Sequence, residues 1–243
     1  MRVDILTLFP EMFEGVLDLS IIGRAKKSGI LELNYINIRD FANNKHNRVD
    51  DYPYGGGLGM VMQAQPIYDA YNSICGGLDY KPYTIYMSPQ GKTFRQGTAK
   101  RLSKKEHIVI LCGHYEGVDQ RILDEIIDAE ISVGDYVLTG GEIAAMAVVD
   151  ATARLIPGVL SSDGCFSEES HFDGLLEYPQ YTRPAVWKGK EVPEILQSGN
   201  HKLIEKWKRE KSIENTFRKR KGMLRGAKLS EKEREFVKKL EKM

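Results

Sequence analysis

The chain reads as an α/β protein: a mostly parallel sheet with helices on both faces, followed by a small basic helical region. Three observations carry that reading. Strand-like apolar runs alternate with helical patterns up to about residue 155. The run His107 to Cys112 (HIVILC) is apolar almost throughout, as a central strand covered on both faces must be. Beyond residue 160 the alternation gives way to small polar residues and prolines, then to two stretches rich in lysine and arginine.

In order, Val3 to Leu8 is a strand that Phe9-Pro10 stops, and Glu11 to Leu17 and Ile22 to Lys27 are short helices. Leu31 to Ile36 alternates apolar and polar residues, which predicts a half-buried strand. Arg39 to Met60 is polar and too long for a plain connector; loops of that length usually carry function or move. Pro66 to Ile74 is a helix with proline in its first turn. Tyr83 to Met87 is a strand, Thr93 to Leu102 a helix, His107 to Cys112 the central strand and Val118 to Ile127 an amphipathic helix. Ala129 to Val133 and Tyr136 to Leu138 read as strands, and Glu142 to Leu155 as a helix. The alanines of that last helix (144, 145, 147, 151 and 153) allow close packing, either against the sheet or against a second subunit. Ser161 to Gly174 is a linker or mobile lid. Tyr178 to Pro193 is irregular, while Lys202 to Lys221 and Ser230 to Lys242 are basic helices. The expected domains are 1–160, a linker at 161–175, and 176–243.

Composition narrows the function. Of 243 residues, 42% are hydrophobic and 28% charged, enough for a real core. No apolar run approaches the ~18 residues of a membrane span. An acid at position 4 and the lack of a small-residue cleavage site argue against a signal peptide. Cys75, Cys112 and Cys165 form no CxxC, so neither a disulfide framework nor a zinc cluster is expected, and the compartment reads as reducing and cytoplasmic. The five histidines show no HxH or HExxH spacing, which argues against a protein-ligated metal. Charge is uneven: residues 197–243 hold 16 Lys+Arg against 7 Asp+Glu, a net of +9, and residues 1–196 carry −8. A basic tail on an acidic body suits a polyanion partner.

Two tempting motifs fail. Gly91-Lys92-Thr93 could end a phosphate-binding loop, but the required first glycine is Tyr86, and Pro89 removes an N–H from the cradle. Gly55-Gly56-Gly57-Leu58-Gly59 lacks dinucleotide spacing and follows no strand. The stronger signal is collective. Ser88 to Gly91, Cys112 to Gly117 and Gly134 to Glu142 are glycine-bearing loops, each after an apolar strand. Open α/β sheets bind ligands beyond the carboxyl ends of their strands, and glycine lets the backbone approach a ligand.

At these loops the sequence resembles the bacterial tRNA (guanine-N1)-methyltransferases of the SPOUT superfamily. The likeness extends over nearly the whole chain, through Leu8-Phe9-Pro10-Glu11-Met12-Phe13, Gly23-Arg24-Ala25, Val49 to Gly57, Tyr115-Glu116-Gly117, Gly134 to Leu138, Ile156 to Leu160, Tyr181-Thr182-Arg183-Pro184 and Ser198-Gly199-Asn200-His201. The resemblance implies a trefoil knot in the cofactor domain, a homodimer with shared active sites, and S-adenosylmethionine as cofactor. The substrate it implies is tRNA with guanine at position 37, beside the anticodon. It also implies a magnesium requirement, for which no protein-ligated site is readable. Carried over position by position, Tyr86, Ser88, Pro89, Gly113, Tyr115, Glu116, Val133, Gly134, Asp135, Tyr136, Val137, Leu138, Gly140 and Gly141 line the cofactor pocket. Glu177, a linker acid often aspartate in relatives, joins them. Arg154 matches the catalytic arginine. The family's general base is an aspartate followed by serine; here that pair is Glu169-Ser170, one methylene longer, with Glu168 beside it. The basic helices fit RNA binding: with a net of +9 over residues 197–243, Lys206, Lys208, Arg209, Lys211 and Arg218 to Lys221 are expected to contact phosphates.

Overall fold

A computed structural model describes residues 1–160 and 169–242. Ser161 to Glu168, the first part of the expected linker and the segment holding Cys165, lie outside the described residues. The chain divides into two compact units, Met1–Asp163 and Gly164–Met243.

The first unit begins with β1 (Arg2–Thr7), α1 (Glu11–Leu17), α2 (Ser20–Lys27) and β2 (Glu32–Asn37). A short 3-10 turn follows, then the two-residue strands β3 (Asp50–Asp51) and β4 (Val61–Met62), which pair antiparallel. It continues through α3 (Ala64–Cys75), β5 (Tyr83–Thr93), α4 (Gln96–Leu102), β6 (His107–Cys112), α5 (Gln120–Ile126), β7 (Ala129–Ser132) and α6 (Glu142–Ala153). Five strands form one sheet in the order β2-β1-β6-β5-β7, every neighbouring pair parallel.

Side chains alternate across a strand, and the core follows that period. Ile5, Ile85, Met87, Ile108, Ile110 and Cys112 face one way, against α1, α2, α4 and α6. Leu6, Tyr86, Val109 and Leu111 face the other, against α3 and α5. All six residues of β6 are buried, as its apolar run predicts. Truncating a side chain such as Leu111 to alanine there costs about 2–5 kcal/mol.

Several elements differ from the sequence reading. β5 does not end at Met87 but runs to Thr93, with a register shift in which Met87 and Lys92 both stand opposite Ile131. Ser88 to Gly91 is therefore a bulge within a strand, and α4 starts at Gln96 rather than Thr93. Pro89 has no N–H to give the ladder. Gly91 presses so closely on β7 that a Cβ there would lie 2.5 Å from the carbonyl carbon of Glu130. Tyr136 to Leu138 is not a strand: the Tyr136 N–H turns back to the Gly134 carbonyl at 2.9 Å, and Val137 is 81% exposed. The strand propensity of Tyr-Val-Leu finds no partner beyond β7, the edge of the sheet. The long polar segment 39–60 is anchored rather than loose. Glu116 N–H donates to Met60 O, and Met62 N–H to Gly117 O, tying it to the loop after β6.

The second unit holds β8 (Val186–Trp187), β9 (Lys190–Glu191), α7 (Glu194–Gln197), α8 (His201–Arg220) and α9 (Glu231–Leu240). Residues 178–193 thus contain a hairpin where irregular chain was expected. Lys188 and Gly189 turn it, both at positive φ as a tight hairpin needs. Asn200 caps α8 and a Ser230–Glu233 capping box starts α9. Leu175, Ile213 and Thr216 are buried at its centre. Arg209 ties the unit together, donating to Glu233 at 2.7 Å, to Asp173 at 2.5 Å and to the Lys228 carbonyl at 3.0 Å. Trp207 packs against Tyr178 and Tyr181, while Trp187 stands exposed on the hairpin.

Candidate functional site

Past the carboxyl ends of β5, β6 and β7 lies a cleft of about 320 Å³, walled by the β5 bulge, the loop after β6 and the loop between β7 and α6. Tyr86, Ser88, Pro89, Gly113, Tyr115, Glu116, Val133, Tyr136, Val137, Leu138, Gly140 and Gly141 line it. Gly134 and Asp135 do not; Gly134 sits beneath the Tyr136 ring, where a Cβ would come within 2.5 Å of a ring carbon. The lining also includes His114, Gln120, Leu123, Glu130 and Thr139, which sequence reasoning missed. His114 carried no signal beyond being one of five scattered histidines.

The glycines hold chain against chain. Gly141 N–H donates to Gly113 O at 2.9 Å, and a Cβ on Gly141 would lie 2.9 Å from the Cα of Cys112. A Cβ on Gly113 would meet the Tyr86 hydroxyl at 2.7 Å. Between them, His114 and Gly140 form an antiparallel bridge.

Beneath the cleft runs a buried polar chain. Phe9 N–H donates to Thr7 Oγ1 at 3.0 Å, Thr7 Oγ1 donates to Glu142 Oε1 at 2.7 Å, and His114 Nε2 lies 2.8 Å from Glu142 Oε2. Burial pushes the Cys112 thiol well up, with Glu142 adding to the effect, so this cysteine is an inert core group. Burial likewise raises the Tyr86 hydroxyl, with Glu130 and Cys112 contributing. Two carboxylates, Glu116 and Glu130, line the cleft, and among the described residues neither enters an ion pair. An acid-lined cleft with backbone walls suits a cationic ligand that also carries a heterocycle. No group of three or more His, Cys, Asp or Glu that could hold a metal stands together among the described residues. No described helix is long and apolar enough to cross a membrane.

The remaining sequence-predicted residues lie outside this lining. Arg154, half-buried, caps α6, its N–H donating to Asp150 O at 3.2 Å. Glu169, in the second unit, borders a pocket of about 130 Å³ with Asp173, Tyr178, Lys208 and Arg209. Glu177, also in that unit, accepts from Gln180 Nε2 at 2.6 Å, and its N–H donates to Ser170 Oγ at 3.0 Å.

The basic residues split into two groups. Lys206, Lys208, Arg209 and Lys211 pair with Glu210, Glu205, Asp173 and Glu233, and Glu214 respectively. Lys221 pairs with Glu241 at 3.1 Å, whereas Arg218, Lys219 and Arg220 close α8 exposed, with no ion pair among the described residues. The second group is the better placed to meet phosphates. Neutralising all three is expected to weaken binding of a polyanion such as RNA and to flatten the slope of log affinity against log salt by about 2–3. Cofactor affinity is expected to hold. An unchanged slope would remove this run from the RNA footprint.

Comparison with known proteins agrees in one direction. Residues 1–226 match the family described as tRNA (Guanine-1)-methyltransferase TrmD. Proteins named tRNA (guanine-N(1)-)-methyltransferase are similar along most of their length. The one from Ruminiclostridium cellulolyticum is 61% identical over 220 residues, covering 90% of this chain and 94% of its own. The one from Alkaliphilus oremlandii is 55% identical over 98% of this chain and 97% of its own. That from Clostridioides difficile is 56% identical over 90% and 96%.

Proposed function

The chain belongs to the tRNA (guanine-1)-methyltransferase TrmD family, and from that premise we propose how its cleft and its second unit divide the work. It is a tRNA (guanine-N1)-methyltransferase. The target is the guanine at position 37 and the methyl donor is S-adenosylmethionine. The observation that supports the donor is the acid-lined cleft, whose three walls carry twelve of the positions that the family assigns to the cofactor. Bound there, S-adenosylmethionine supplies a methyl made electrophilic by a sulfonium. The glycine-rich walls hold it by backbone groups, and Glu116 and Glu130 complement its positive charge.

Guanine N1 keeps its proton at neutral pH and is a poor nucleophile. Glu169 would take that proton, which frees the N1 pair to attack the methyl that a bound S-adenosylmethionine would supply. Arg154 offsets the negative charge that gathers at O6. The guanine leaves its stack to be read by its edge. Glu169 would meet the guanine once RNA is bound. The basic end of α8 positions the RNA through its phosphates. The donors present do not fit a protein-caged magnesium, and no step is assigned to it.

The family's trefoil knot and homodimer complete the proposal. In support of the knot, the chain leaving β7 at the sheet edge returns past β5 to pair Gly140 with His114. In support of the dimer, Met12, Val16 and Leu19 near α1 and Ile143 on α6, two helices that pack together, leave large apolar side chains exposed. We place the enzyme in the cytoplasm, where its thiols stay reduced.

The test is transfer of labelled methyl to tRNA transcripts with guanine at position 37 or another base there. Transfer that does not follow this guanine would redirect the enzyme to another RNA site. A chain that binds tRNA but shows no heat with S-adenosylmethionine would be an RNA-binding protein with a degenerate pocket.

A further inference from the structure

The chain from Thr7 to His114 joins three separate parts of the first unit. Thr7 ends β1, His114 opens the loop after β6, and Glu142 is the first residue of α6. Thr7 is fully buried and Glu142 is 2% exposed, so both depend on the partners they have. Thr7 accepts the Phe9 N–H, and its single proton goes to Glu142. Glu142 stands at the amino end of a twelve-residue helix. A carboxylate only accepts, so the hydrogen between Glu142 and His114 sits on Nε2. That fixes the tautomer of a side chain lining the cleft: Nε2 is the donor, and Nδ1 of the neutral ring is an acceptor.

Two further observations show the pair to be built in. The Phe9 ring lies tilted against the imidazole, centroids 4.9 Å apart. At Gly140 a Cβ would fall 2.2 Å from His114 Nε2 and 2.5 Å from Glu142 Oε2, so the glycine makes room for this pair. The pair spans the two cofactor-lining loops where Gly140 bridges His114.

We propose that His114 is a positioning residue for the cofactor: through Glu142 and Thr7 it locks the two loops together and presents one imidazole tautomer to the cleft. This rests on reading the cleft as the S-adenosylmethionine site, which calorimetry on the unmodified protein tests separately. The groups that face the imidazole are Glu142, Phe9 and the neighbouring Tyr115, with Glu116 next along the loop.

The experiment has two arms. In cofactor-free protein, nitrogen NMR of labelled histidine reads the tautomer directly. The expected signal is a protonated Nε2 and a bare Nδ1, reversed in Glu142→Gln, whose amide can offer a hydrogen instead. A protonated Nδ1 with bare Nε2 in the unmodified protein would overturn the proposal, whatever the variants do. In the second arm, His114→Phe is expected to weaken S-adenosylmethionine binding about tenfold or more, the effect of losing a hydrogen bond to a charged group. His114→Gln, which keeps a donor near the Nε2 position, is expected to regain much of that loss. The penalty should appear in KM for the cofactor more than in kcat. A folded His114→Phe that binds the cofactor as the unmodified protein does would overturn the proposal. So would equal losses in the Phe and Gln variants.

Discussion

Glu169→Gln is expected to keep the fold and cofactor binding and to lose methyl transfer by about 10²- to 10⁴-fold, the usual cost of removing a general base. Gln preserves the size and polarity of the side chain but cannot take the N1 proton. Glu169 sits in the second unit, half-buried at a small pocket, with the carbonyl of its own backbone accepting the Phe172 N–H at 3.2 Å. The amide should fit the same place. Glu169→Asp restores the residue of the family pattern and should retain substantial activity, since it keeps the carboxylate and is shorter by one methylene. Glu168→Gln, at a position outside the described residues, is the control and should matter little. Transfer at the unmodified rate by Glu169→Gln would place the base elsewhere. Glu177 is then the next carboxylate to try, although its hydrogen bonds to Gln180 and Ser170 already give it a structural role.

Gly141→Ala is expected to abolish cofactor binding and to destabilise the first unit by about 1–3 kcal/mol, the range for forcing extra atoms into packed chain. From sequence alone, a side chain here would be expected to obstruct the ligand and leave the fold intact. The geometry gives a different cause. The new methyl would stand 2.9 Å from the Cα of Cys112 and 3.0 Å from Gly113 N, backbone atoms of a buried strand end that cannot swing aside. Gly113→Ala is the informative companion. Its methyl would meet the Tyr86 ring, which can move, so that variant should fold near-normally and lose affinity because a cleft-lining ring is displaced. Thermal denaturation with and without S-adenosylmethionine separates the two. A Gly141→Ala protein with unchanged melting and affinity would sink the account of this loop.

What the sequence made legible follows from the range of the forces involved. β6 was readable because a strand covered on both faces is apolar almost throughout, and α1 because its pattern lies within two turns. The cleft was readable from its three glycine-bearing segments, two of which follow strand ends that a parallel sheet puts side by side, while the third is the β5 bulge. The bulge in β5 was not, because Pro89 and Gly91 signal a break in the ladder without saying whether the strand resumes. Tyr136 to Leu138 misled for the opposite reason: propensity without a neighbouring strand makes no strand. His114 and Glu142 are 28 residues apart, and nothing local marks them as partners. The charge of the tail was countable, but which lysines and arginines are already spent on glutamates emerged only from the folded helices.

The placing of the two tryptophans has a practical consequence. Trp187 on the hairpin and Trp207 against Tyr178 and Tyr181 are the only indoles in the chain, and both belong to the second unit. Light absorbed above the tyrosine band is therefore emitted from that unit alone, while far-ultraviolet circular dichroism is dominated by the helices and sheet of the whole chain. In a denaturant titration the two signals need not coincide: emission follows the second unit, and ellipticity both units. Cofactor that binds in the first unit should shift the dichroism midpoint and leave the emission midpoint in place wherever the halves melt independently. A native optical probe thus separates the energetics of the two halves without any label.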